Sequence, residues 1–439
     1  IRNGHYWNQA NNDYAPFVSN RGADFAPGLK NFLPSSARYD SGEGGAGKPG
    51  TTAVYGGHSH VGTMIYLGDN FPDTYRDRLF THNLHGHQIN QQHNVRQGAG
   101  YETFHAGFDL LFAPDSTYVP VDLQYGPDGA VYAIDWSDLQ HCHNPRDELW
   151  DRTNGRIYRV SWAETYRPVA VNLGAKTDRE LVALHTHRSE WFVRTARRLL
   201  QERAAARPLD AAALAALREQ STGAKETSAY LRAFWTLHTV GALDRAALTA
   251  ALRHPADVVR AWAVQLATER PLAPVVEPAA LARLAAEDPS PAVRLALASA
   301  LPALPAGAGW PVVTALATHG EDAADRFLPK MIWFGLAGLA SGDPARALDL
   351  AASTPLSTLA DSVLWFAARN PAGREQIVAR LAGSAPGAPN ALSAAAALRG
   401  LRVLAFALES EAAIAMPSAW PQVLARFAAT SDAAARAAV

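Results

Sequence analysis

Two stretches of this chain repeat one another at a fixed offset, and that offset limits what the second half can fold into. HPADVVRAWAVQLATE starts at His254, and DPSPAVRLALASALPA starts 34 residues later at Asp288. Aligned, Pro255 stands over Pro289, Val259 over Val293, Arg260 over Arg294 and Leu266 over Ala300. A period of this size belongs to helical hairpins stacked in a row, because one hairpin cannot bury its apolar face alone. The proline is expected in the first turn of each second helix, where its missing N–H costs little. The apolar residues after Val-Arg fall at helical spacing and face the next repeat. The arginine is expected to reach a loop carboxylate of the adjacent repeat. HGEDAADRFLPKMIWFGLAGL, from His319, reads as a divergent third unit, and DSVLWFAARN and NALSAAAALRGLRVLAFAL as further helices. The first strong helical region is ELVALHTHRSEWFVRTARRLLQERAAA, with Ser189 as its expected N-cap.

The first half is written differently. Up to about Trp162 it is rich in Gly, Asn, His, Tyr and Asp, and its periodic stretches are short. VDLQY and AVYAIDW alternate with period two around GPDG, whose Asp128-Gly129 supplies the positive-φ residue a tight hairpin needs. TMIYLG and RLFTHNL read as a second strand pair, and GRIYRVSW as a further strand. Short strands between polar loops point to a sandwich or a propeller. The expected fold is therefore multidomain β + α. Residues 1–165 are read as partial β-propeller blades with a long N-terminal loop region, and residues 166–439 as a HEAT-like α-helical solenoid.

Nine of the 15 histidines lie between His58 and His143. GGHSH, HGH and HCH each place two histidines on one face of a strand: His58 with His60, His85 with His87, and His141 with His143. One histidine in a strand is commonly no more than a hydrogen-bonded polar residue. Three such pairs, with His105, Asp109, Asp135 and Asp138 nearby, form a constellation suited to a transition metal or to general bases. His85, His87 and His58 are the candidate catalytic bases. His60, His141, His143 and His105 are the candidate metal ligands, and Arg146, Asp135 and Asp138 the candidate cofactor-binding residues. Arg146 beside Asp147 equally reads as an ion pair that fixes its loop.

Composition narrows the classes. Net charge is −1, so no general nucleic-acid footprint is expected. The single cysteine, Cys142, excludes an intrachain disulfide and a four-cysteine zinc site. There is no C-x-x-C-H, so no covalent haem is expected in this chain.

GGHSHVGTMIYLGDNFPDTYRDRLFTHNLHGHQINQ, YVPVDLQYGPDGAVYAIDWSDLQHCHNPRDELWDRTNGRIYRVSW and HRSEWFVRTARRLLQERA together resemble the membrane-bound dehydrogenase family, exported bacterial proteins with a propeller akin to soluble glucose and sorbosone dehydrogenases. The match is close over about residues 56–206 and looser beyond. In that family HEAT-like repeats follow the propeller, and many members end in a cytochrome c-like domain. The resemblance implies a periplasmic or cell-envelope oxidoreductase acting on a sugar or other alcohol. It implies a quinone-type cofactor such as pyrroloquinoline quinone with calcium, or a transition metal, and a cytochrome c-like electron acceptor. A protein partner would dock on the HEAT surface. Residues 1–165 supply only about three blades at 40–50 residues each, so upstream blades of a longer product are expected. Two other readings stay open: a metal-dependent polysaccharide lyase or hydrolase, and a non-catalytic propeller and HEAT scaffold.

Overall fold

A computed structural model describes residues 60–84, 87–106, 109–113, 115, 117–138, 153–269, 277–383, 392–409, 411, 413–428 and 436. Strands come first and helices follow: eight strands, then fifteen α-helices among the described residues. Two compact units divide them. Residues 60–97 and 101–244 form one, and residues 98–100 with those from 245 onward form the other.

The first unit carries two sheets. One contains β1 (His60–Ile65), β2 (Leu79–Asn83), β3 (Gln88–Gln97) and β4 (Gly100–His105) in that order, with β5 (Leu111–Phe112) also paired to β3. The other is β6 (Pro120–Tyr125), β7 (Val131–Asp135) and β8 (Arg156–Val160). β1 pairs antiparallel with β2, and β6 with β7, as the alternating stretches predict. The GPDG turn closes with Gly126 N–H donating to Ala130 O at 2.9 Å, and Gly129 sits at φ +72°. No residue with a Cβ reaches that φ as cheaply.

Alternation decides which side chains meet. Phe80 and Ile89 from the first sheet and Leu123, Val131 and Ala133 from the second form one buried cluster with Tyr66, Phe71 and Tyr125. Tyr66 is its polar anchor. Fully buried, its hydroxyl donates to Gly129 O at 2.7 Å and accepts from Asn70 N–H at 3.1 Å and Phe71 N–H at 3.0 Å. Trp191 packs against the same cluster.

Four helices complete this unit: α1 (Asp178–Ala183), α2 (Glu190–Ala206), α3 (Ala211–Gly223) and α4 (Thr227–Thr239). Asp178, nearly fully buried in α1, ties the first three together: it accepts from Arg203 in α2, from Arg207 at the end of α2 and from the N–H of Asp210, the N-cap of α3. Ser189 is the N-cap of α2, but its side chain makes no cap hydrogen bond.

The second unit begins with α5 (Arg245–Ala251), α6 (Asp257–Ala267), α7 (Pro278–Glu287), α8 (Pro291–Ala300), α9 (Ala306–Leu316) and α10 (Leu328–Gly342). It continues through α11 (Pro344–Ser353), α12 (Ser357–Ala368), α13 (Pro371–Gly383), α14 (Ala394–Leu408) and α15 (Trp420–Ala428). Arg260 and Arg294 each stand fourth in their helices, α6 and α8. Arg260 binds Asp288 with two nitrogens, at 2.6 and 2.9 Å, and its third nitrogen donates to His254 O at 2.8 Å. Arg294 repeats the pattern 34 positions on, with Asp322 at 2.6 and 2.5 Å and Asp288 O at 2.8 Å. The proline expectation needs correction. Pro255 and Pro289 lie one residue before the N-caps Ala256 and Ser290, outside the first turn. The N-cap itself is extended, so a proline before it prolongs the extended entry; Pro291 is the one that occupies the first turn of α8.

Candidate functional site

The histidine-rich stretch does not form one alternating strand. β2 ends at Asn83 and β3 begins at Gln88, so His87 belongs to the connection between them. Its φ is +53°, a left-handed conformation uncommon for a residue with a Cβ. The expected strand face shared by His85 and His87 is therefore wrong for His87: it lies outside both strands in a left-handed conformation, so no strand pleat sets its direction. His85, His58, His141, His143 and Arg146 lie outside the described residues. His60 pairs with Asn83 in β1, and His105 ends β4; their side chains are likewise outside what is described. Among the described residues, no group of three or more His, Cys, Asp or Glu side chains could hold a metal ion.

What the structure brings together around His87 is a different set. The core between the sheets is apolar along most of its length and turns polar at one end. On β7, Val131, Ala133 and Asp135 share a face, and on β2, Phe80 and His82 do so. Asp135 and His82 are thus carried into the interior by the same alternation that builds the core; they are 6% and 0% exposed. Tyr118, 5% exposed, lies between the sheets' ends, with its phenol oxygen 3.4 Å from His82 Nε2 and its ring edge-on to Tyr158. Asp135 accepts from Arg156 N–H at 3.2 Å through one oxygen, and its other oxygen has no partner among the described residues. His82 Nδ1 has none either.

Burial sets the charge states here. It pulls His82 down to about 4, so the imidazole is neutral near pH 7. It raises Asp135 above the usual carboxylate range, opposed by the Arg156 N–H and its cation. It raises the Tyr118 phenol as well, so that hydroxyl stays protonated.

His87 sits at the edge of this set, half-buried. Its Nδ1 lies 2.6 Å from Tyr118 O. A carbonyl only accepts, so Nδ1 carries the hydrogen, and in the neutral ring the lone pair sits on Nε2. Ser137, the other positive-φ residue at this end (φ +50°), is buried and accepts from Arg156. Strained backbone held in place on both sides of one polar cluster is the kind of outlier that points toward function.

Of the sequence-predicted site residues, His87 and Asp135 therefore fall in one region. Asp138 is buried near the end of β7. His82, Tyr118 and Tyr158 were not singled out by the sequence. His82 was visible only as one more histidine in THNLHGHQINQQH, and the tyrosines carried no signal.

Residues 30–164 match a family model described as a domain of unknown function, DUF7133. No curated protein matches the chain.

Proposed function

We propose that this chain is part of an exported oxidoreductase that oxidises a hydroxyl group of a sugar or other alcohol, with His87 as the general base. In this reading the two sheets are blades of a β-propeller and the helices a HEAT-like solenoid; the arginine–aspartate pattern recurring at 34 residues supports the latter. The observation that carries the functional reading is the 2.6 Å contact between His87 Nδ1 and Tyr118 O. It places the hydrogen of the neutral ring on Nδ1 and so leaves the basic lone pair on Nε2. It also steadies the imidazolium that forms when Nε2 takes the hydroxyl proton; the hydride on the carbon bearing that hydroxyl would pass to an external two-electron acceptor as the C=O bond forms. The resemblance implies a quinone-type acceptor with calcium. Calcium takes six to eight oxygen ligands, and the described residues offer one unpartnered buried carboxylate oxygen, on Asp135. No step is routed through a cation.

The test is reduction of an artificial electron acceptor by the purified natural protein over a panel of sugars and alcohols, alongside metal and quinone analysis. Turnover with quinone absorbance supports the reading. A stoichiometric transition metal without quinone favours a metal-dependent lyase or hydrolase. Neither turnover nor cofactor favours a scaffold, which the near-complete burial of His82 and Asp135 would then explain as an internal polar network.

A further inference from the structure

Tyr118 holds two histidines at once. Its carbonyl accepts from His87 Nδ1 at 2.6 Å, and its phenol oxygen lies 3.4 Å from His82 Nε2. Between those ends the residue is pinned. Its N–H donates to Asp115 O at 3.1 Å, and the Tyr158 ring meets its ring with centroids 5.6 Å apart. The next carbonyl, Val119 O, accepts from Trp136 N–H at 3.2 Å. His82 is fully buried, so it has no route to a substrate, and any effect it has on the site must pass through a neighbour. The neighbour it reaches is the residue whose carbonyl sets the tautomer of His87.

We infer that His82 is a positioning residue for His87, acting through Tyr118: the phenol clamp at one end of residue 118 keeps its carbonyl aimed at His87 Nδ1 at the other. The functional consequence rests on His87 being the base; the positioning itself does not. The backbone at His87 is left-handed and its carbonyl accepts from Ala113 N–H at 2.9 Å, while at Nδ1 the ring is held by the Tyr118 carbonyl, which sets its tautomer.

The experiment uses the full chain with ¹⁵N-labelled histidine. The His87 signal is assigned by its loss in His87→Asn. Wild type is expected to show His87 as the Nδ1–H tautomer with a slowly exchanging proton. Tyr118→Phe deletes only the hydroxyl, and His82→Phe breaks the same link from the other side should the first variant fold poorly. Either is expected to speed Nδ1–H exchange roughly fivefold, the weight of about one net hydrogen bond. Tyr158→Phe keeps its ring edge and is expected to match wild type. Unchanged exchange in Tyr118→Phe and His82→Phe overturns the inference, as does a wild-type His87 protonated on Nε2. In the oxidation assay, kcat is expected to fall with KM unchanged. If exchange quickens while kcat holds, the positioning stands and the reading of His87 as base fails.

Discussion

Removing one oxygen from the core tests how the first unit is held. Tyr66→Phe keeps the ring and its edge contacts with Phe71 and Tyr125, at centroid distances of 5.2 and 5.6 Å, and deletes only the hydroxyl. Three buried groups then lose their partner: Asn70 N–H, Phe71 N–H and Gly129 C=O. Each unsatisfied buried group costs about 1–3 kcal/mol. The two N–H groups shared one oxygen and relax together, so a total of about 3 kcal/mol is expected, with little contribution from the small void. Because the chain has two units, a bulk melting curve mixes them. Hydrogen exchange at Leu123 and Ala133, in β6 and β7, reads the opening free energy of this unit alone. A second signature checks the mechanism. Burial raises the Tyr66 hydroxyl to about 12, so the unfolded chain ionises first, and wild-type stability is lost as pH climbs above about 10. The variant lacks the Tyr66 part of that loss. A destabilisation under about 1 kcal/mol would refute the reasoning.

Further outcomes follow from other buried groups. Arg207, with Arg203, holds the Asp178 carboxyl below its usual range, so its stabilisation is full above about pH 4 and is lost as pH falls below that; acid unfolding of Asp178→Asn should be flatter in this window than that of wild type. Arg294→Met leaves Asp322 buried without its bidentate partner and is expected to cost about 3–5 kcal/mol, read by exchange in α8; Arg294→Met with Asp322→Leu should recover much of it, and no recovery would deny the pairing its role. Gly62 has φ +54°, and an added Cβ would lie 2.6 Å from Asp122 Cα on β6. Gly62→Ala is therefore expected to destabilise the first unit by about 2 kcal/mol, and an unchanged exchange rate in β6 would show that this approach is not tight.

The parts legible in the sequence are those set by local chemistry or strict period. GPDG announced its turn because only glycine takes φ +72° without strain. The 34-residue spacing announced Arg260 and Arg294 because a repeat must reproduce its contacts. The histidine spacing misled for His87 because alternation does not show where a strand stops, and nothing in the residues after Asn83 says that β2 ends there. β3 was invisible for a related reason. Gln88–Gln97 is rich in Asn and Gln, which have little strand preference, and becomes a strand by pairing with β2 and burying Ile89. The site was least legible of all. Tyr118 touches His87 and His82 across 31 and 36 residues, and a contact of that reach leaves no local trace.

Whether His87 Nε2 takes the substrate proton is measured most directly by two substitutions at that one position. In His87→Asn the side-chain amide replaces Nδ1 as donor to Tyr118 O, while nothing replaces Nε2. In His87→Gln the amide reaches the Nε2 position without its basicity. With folding verified by exchange in β2 and β3, both variants should lose oxidation by ~10²–10⁴-fold, the usual weight of a general base, with substrate binding retained. Turnover within about twofold of wild type in either variant would contradict the assignment.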